Sequence, residues 1–129
     1  MPISVAHARK MTGYDVRRVQ NEHFTWHFQA VDGLGEVIAE GGAQDEKQAL
    51  GILIGAVYKI HCEIVRRQQQ YRCSKCGVIK SLECHHRVYR SHGGTHEIEN
   101  LEATCNDCHR KIHKGVIHNG PDPVREHVI

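Results

Sequence analysis

Two Cys-x-x-Cys pairs, Cys73-Ser74-Lys75-Cys76 and Cys105-Asn106-Asp107-Cys108, stand 28 residues apart and set the strongest limit on how this chain folds. A CxxC turn brings both sulfurs to one side of a tight loop, which is half of a tetrahedral metal site. Two such halves predict a closed four-cysteine site of the kind that holds a structural Zn²⁺. Gly77 follows the first pair, where the turn needs a residue free to take positive φ. Segment 72–114 is short and loop-rich, with too small an apolar core to fold unaided. A structural zinc, contributing about 10–16 kcal/mol of apparent binding free energy in small modules, makes good that deficit. Cys62 and Cys84 lie outside the spacing in apolar company and are expected to be small core residues. A redox role would require one CxxC pair rather than two.

The 129 residues have room for one domain, or for a very small domain with an appended element. No uninterrupted apolar run reaches the ~20 residues of a membrane span, so no membrane association is expected. The opening MPISVAHARK lacks the apolar core of a secretory signal. The expected location is therefore the cytoplasm, where reducing conditions favour metal binding over disulfides for paired thiols. Formal net charge is +2, which by itself excludes little. Residues 1–70 balance eight basic against eight acidic side chains, whereas residues 72–114 carry eight basic and five acidic ones. That local excess, beside a concentration of histidines, suits a polyanionic partner such as DNA.

Residues 22–41 predict a β-hairpin: His23 to Phe28 alternate, with Phe24, Trp26 and Phe28 on one face, Asp32-Gly33-Leu34-Gly35 forms the turn, and Glu36 to Ala39 return. Asp45 is placed to cap a helix, with Gln48 at capping-box spacing. Leu50, Leu53, Ile54, Val57, Ile60, Cys62, Ile64 and Val65 form its apolar stripe, ending near the basic pair Arg66-Arg67. The order of these elements and the segment EGGAQDEKQAL (40–50) loosely resemble the second half of a double-stranded-RNA-binding domain, whose preceding elements and loop lysines are not matched. A packing or dimerisation role is the plainer expectation, with a homodimer formed through this element. The tail after Gly115, containing Gly120-Pro121-Asp122-Pro123, is expected to be irregular.

Between the knuckles the chain carries His85-His86, a Ser91-His92-Gly93-Gly94 loop and Asn100 in Glu-Asn-Leu; His109 and His113 follow. Residues 82–86 and 101–104 predict two short strands. Residues 107–114 predict a helix on which His109 and His113 share a face. In this segment the sequence resembles the HNH nuclease family, in its zinc-finger-bearing branch and in the colicin-type DNases, over about a third of the chain. The resemblance implies an α+β chain: a ββα-metal, treble-clef-like zinc module at 71–116, preceded by the hairpin and long helix of 1–70 and followed by the tail 117–129. It also implies a metal-dependent DNA endonuclease, of phage or bacterial kind, in which His86 is the general base and His85, His109 and His113 hold one catalytic divalent ion. That ion would be Mg²⁺, or Mn²⁺, Ni²⁺ or Zn²⁺. Asn100 would brace the loop and orient the base. Arg87, Arg90, Arg110 and Lys111 would contact phosphates. One departure is the absence of the proline common before the Ser-x-Gly-Gly segment, where Val88-Tyr89 precede Arg90, which bears on loop rigidity.

The chemistry asks for the same residue types. Phosphodiester hydrolysis needs a base that works near neutral pH, which imidazole supplies, and positive charge against the crowded transition state. Adjacent residues of a strand point to opposite sides, so one histidine of a pair can face a metal while its neighbour faces water. His92 and His96 are expected to be solvated or phosphate-contacting. His7, His23, His27, His61, His118 and His127 fit no pattern. The competing reading is a zinc finger that binds nucleic acid without cutting it, which needs the cysteines but not His86, Asn100 and His109 together.

Overall fold

A computed structural model describes residues 3–115; the tail reading for 117–129 and residues His118 and His127 lie outside them. The N-terminal part begins with helix α1 (Val5–Thr12), capped by Ser4 and closed by Gly13 in the left-handed region. Three antiparallel strands follow: β1 (Asp15–Arg18), β2 (Trp26–Val31) and β3 (Val37–Ala43), with β2 central. Helix α2 (Glu46–Gln68) packs across the sheet. The Asp45 cap is as expected, its carboxylate accepting from the Gln48 N–H at 3.0 Å.

The sequence reading did not anticipate α1 and β1, and it placed the first hairpin strand too early. Trp26 and Phe28 are in β2, their rings 6.2 Å apart, but Phe24 precedes the strand and packs over Gly42. The helix and strand before the hairpin do exist, so the unit reads α-β-β-β-α. Topology by itself assigns no ligand to it. The turn after β2 is made by Asp32, whose side chain accepts from the N–H groups of Leu34 and Glu36.

Beyond α2 the chain forms a two-stranded antiparallel hairpin, β4 (Glu83–His86) and β5 (Leu101–Thr104), and helix α3 (Asn106–His113). A mixed α+β chain with a ββα module after a hairpin and a long helix is what the sequence predicts.

Two apolar cores result, and α2 contributes to both. Ala49, Leu50, Leu53, Ile54 and Val57 pack with Phe28, Ala30, Val16 and α1. One turn further on, Cys62 and Val65 join Leu82, Leu101, Ala103 and the knuckle cysteines, with Tyr58 and Cys84 at the edge. By length and composition α2 could cross a membrane; here it is the helix on which both cores are built. Ile60, expected in the buried stripe, is instead exposed.

Gly41 of β3 lies directly against the backbone of α2: a Cβ there would lie 2.4 Å from the Ala49 carbonyl oxygen and 2.6 Å from the Leu53 nitrogen. Both neighbours are backbone, so neither can move aside cheaply. Gly41→Ala is expected to destabilise the fold by about 2–3 kcal/mol, read from urea denaturation. Gly33→Ala, in an exposed turn with nothing within 4 Å, is the control and should be near neutral.

Candidate active site and metal centre

The four knuckle cysteines converge. Their sulfurs all lie within 4.8 Å of one another, and Cys76 Sγ is 3.7 Å from Cys105 Sγ. Four ligands at a Zn–S distance of ~2.3 Å in a tetrahedron sit about 3.8 Å apart, so the set fits the ion. Local backbone supports the knuckle: Gly77, at φ 76°, donates to the Cys73 carbonyl, and the Lys75 N–H points at Cys73 Sγ. Burial opposes ionisation of Cys73, but N–H groups of Cys105, Cys76 and Lys75 outweigh it and bring its thiol down to about 6. Burial, then the neighbouring thiols of Cys105, Cys76 and Cys73, push Cys108 the other way. Four sulfurs this close cannot all ionise without a cation among them, and that is the chemistry of a zinc donor set.

Strand β4 separates the two histidines as its alternation requires. Glu83 and His85 face α3. Glu83 contacts His109 Nδ1, and the His85 and His109 rings are 5.4 Å apart. On α3 the Nε2 atoms of His109 and His113 are 2.9 Å apart. Cis ligands at a metal–nitrogen distance of ~2.1 Å sit about 3 Å apart, so this pair is spaced to share an ion. His85 is buried and neither ring nitrogen makes a hydrogen bond of acceptable geometry, although its Nε2 lies 3.3 Å from Glu102 Oε1. An imidazole left unsatisfied beside two converging ones fits a metal ligand better than a core residue. Among the described residues, however, only the cysteines have all donor atoms within 4.8 Å.

Glu102, which the sequence reading overlooked, is the buried hub of this face. It stands opposite His85 across the hairpin and is 2% exposed. Lys75 of the first knuckle, His85 and Arg87 surround it at 3.3–3.5 Å. Burial would raise its pKa, but His85, Lys75 and Arg87 overcome that and hold it below the usual carboxylate value. Its position directly after Asn100-Leu101, in register with the histidine pair, was the available signal.

His86 points to the opposite face. Its ring stacks on Tyr58 of α2 at 5.3 Å and 7°, and its Nε2 is 2.8 Å from His96 Nδ1. Burial first, then Arg90 and His85, lower its pKa, a shift toward the unprotonated ring that a base requires. His96 corrects the expectation of a solvated loop residue: it is 4% exposed. Burial, then His86, Arg90 and other histidines, lower its pKa to about 4. His61, which fitted no pattern, is buried on α2 between the Tyr14 hydroxyl and the His96 carbonyl. His92 is exposed.

The loop between β4 and β5 is tied by Asn100. Its Oδ1 accepts from the Val88 N–H, its Nδ2 donates to the carbonyls of Val88 and Thr95, and its own carbonyl accepts from the Arg87 N–H at 2.7 Å. Gly94 sits against this brace, where a Cβ would lie 1.7 Å from the Val88 carbonyl oxygen. These contacts supply the stiffness that a loop proline would otherwise give. Arg87 turns inward to Glu102, Arg90 lines a cleft beside His86, Arg110 pairs with Asp107 at 2.7 Å, and Lys111 is exposed on α3.

The fold and this geometry define a zinc-framed ββα module carrying histidines on both faces of its first strand. Residues 70–115 match the family model for HNH endonuclease, and this segment of the chain belongs to that family. Anaredoxin of Nostoc sp. (strain PCC 7120) is 36% identical over 52 residues, which are 40% of this chain and 68% of that protein. No solved structure matches the chain significantly.

Cys105→Ser should release zinc and lower stability by several kcal/mol, with chelation of the wild type having a similar effect. Metal analysis and thermal melts check this; an unchanged melt after complete zinc removal would refute the scaffold role.

Proposed function

We propose that this protein is a metal-dependent endonuclease that hydrolyses DNA phosphodiester bonds. The observation that carries the reading is the division of the histidine pair on β4, with His85 beside His109 and its neighbour His113, and His86 on the other side against Tyr58 and His96. His85, His109 and His113 would hold one divalent ion, Mg²⁺ or another such as Mn²⁺, Ni²⁺ or Zn²⁺. When bound, that ion supplies positive charge at the scissile phosphate. His86 takes a proton from the attacking water as the water oxygen bonds to phosphorus. The P–O3′ bond breaks, its electron pair stays on the 3′ oxygen, and that oxygen takes up a proton from solvent. The products are a 5′-phosphate and a 3′-hydroxyl.

Asn100 acts at a distance, fixing the loop that follows His86 through Val88 and Arg87. Arg90, Arg110 and Lys111 are placed to meet phosphates, contacts that position a duplex without reading its bases. Arg87 would have to leave Glu102 to join them.

Nicking of supercoiled plasmid with Mg²⁺, Mn²⁺, Ni²⁺ or Zn²⁺ tests the proposal. Wild type should cut, His86→Ala should cut at least about 100-fold more slowly, and His109→Ala should lose cutting while keeping its structural zinc. Undiminished cutting by His86→Ala would remove the base assignment. No cutting with any of these ions would favour the non-catalytic zinc finger.

A further inference from the structure

The HNH match begins at residue 70, and nothing in it accounts for residues 3–69. These residues nevertheless reach the catalytic face. Tyr58 of α2 covers one face of His86 and also packs on His96 at 4.7 Å. The Met11 carbonyl of α1 accepts from the His96 N–H at 2.8 Å. His61 meets the His96 carbonyl at 2.6 Å and the Tyr14 hydroxyl at 2.7 Å. A carbonyl can only accept, so His61 Nδ1 carries the proton and Nε2 receives one from Tyr14. Both sides of the His96 peptide are therefore held by the N-terminal unit.

We infer that His96 is the positioning residue for the proposed base His86, and that the N-terminal α-β-β-β-α unit is part of the active site because it fixes His96. The inference rests on the nuclease reading of His86. The contact is made at His86 Nε2. A neutral His96 can accept the Nε2–H of His86 at its own Nδ1, and that bond selects the His86 tautomer whose basic nitrogen is Nδ1. The low pKa of His96 agrees, since a protonated His96 could not accept. Tyr58 fixes the plane of the His86 ring, and His96 fixes its rotation within that plane.

A cleft of about 620 Å³ opens where these groups meet, bordered by His86, Arg90, His96 and Tyr58 with Gly51 and Gly55 of α2. Side chains added at the two glycines would meet nothing within 4 Å, so α2 does not need them for its packing. The base is accordingly reached through a space that the N-terminal unit walls.

Two variants of the full chain test this. His96→Leu removes the acceptor; His96→Asn keeps one, its Oδ1 standing near the place of Nδ1. In plasmid nicking, His96→Leu is expected to lose at least about tenfold in kcat at unchanged KM and zinc content, and His96→Asn to recover most of that loss. Long-range proton–nitrogen NMR at about pH 8, above the imidazole range, should show His86 as the Nε2–H tautomer in wild type and as a mixture in His96→Leu. Wild-type kcat in His96→Leu, equal losses in both variants, or an Nδ1–H tautomer in wild type would each overturn the inference. If wild type cuts nothing, or His86→Ala cuts normally, the nuclease reading fails instead, and the tautomer spectrum still decides the His86–His96 pairing by itself.

Discussion

The C-terminal third depends on four sulfurs meeting at one point. Its strands are four residues long and its last helix eight, sizes that do not persist alone in water. Its apolar core is largely made of the cysteines themselves, with Leu82, Leu101 and Ala103 around them. The knuckles join the start of the module to the end of β5 and the first turn of α3. They thereby fix the angle between hairpin and helix, and with it the distance from His85 to His109. The four-cysteine frame thus sets the spacing of the two elements on which the candidate ligands His85 and His109 stand.

The second constraint is charge in a small interior. Glu102 is surrounded by one lysine, one arginine and one histidine. A single buried carboxylate thus offsets cations that would otherwise repel one another between the knuckle and β4. The opposite face of the hairpin is built instead from rings, Tyr58, His86, His96 and His61, stacked and hydrogen-bonded in sequence. One sheet of two strands thus presents one face built round a buried carboxylate and its ion pairs and another built from packed rings.

Much of this was legible in the sequence because it is local. The CxxC spacing, the His109–His113 interval, the Asp45 cap and the apolar period of α2 are all set within a few residues. What was missed is not local. Helix α1 has eight residues, four of them polar, and β1 buries only Val16, so neither shows a pattern without its partners. His96 is buried because α1 and α2 close over it, and no spacing within 82–113 records that. His61 did leave a signal: it lies four residues from both Val57 and Val65, inside the buried stripe, and its companions there are apolar. Ile60, assigned to that stripe in its place, faces out.

Helix α2 runs unbroken through 23 residues, a rod of about 34 Å with the three-stranded sheet along its first half and the zinc module along its second. No linker interrupts it, so the two ends have no hinge between them. The helix acts as a ruler, holding the three-stranded sheet and the four-cysteine module at a fixed separation along one axis.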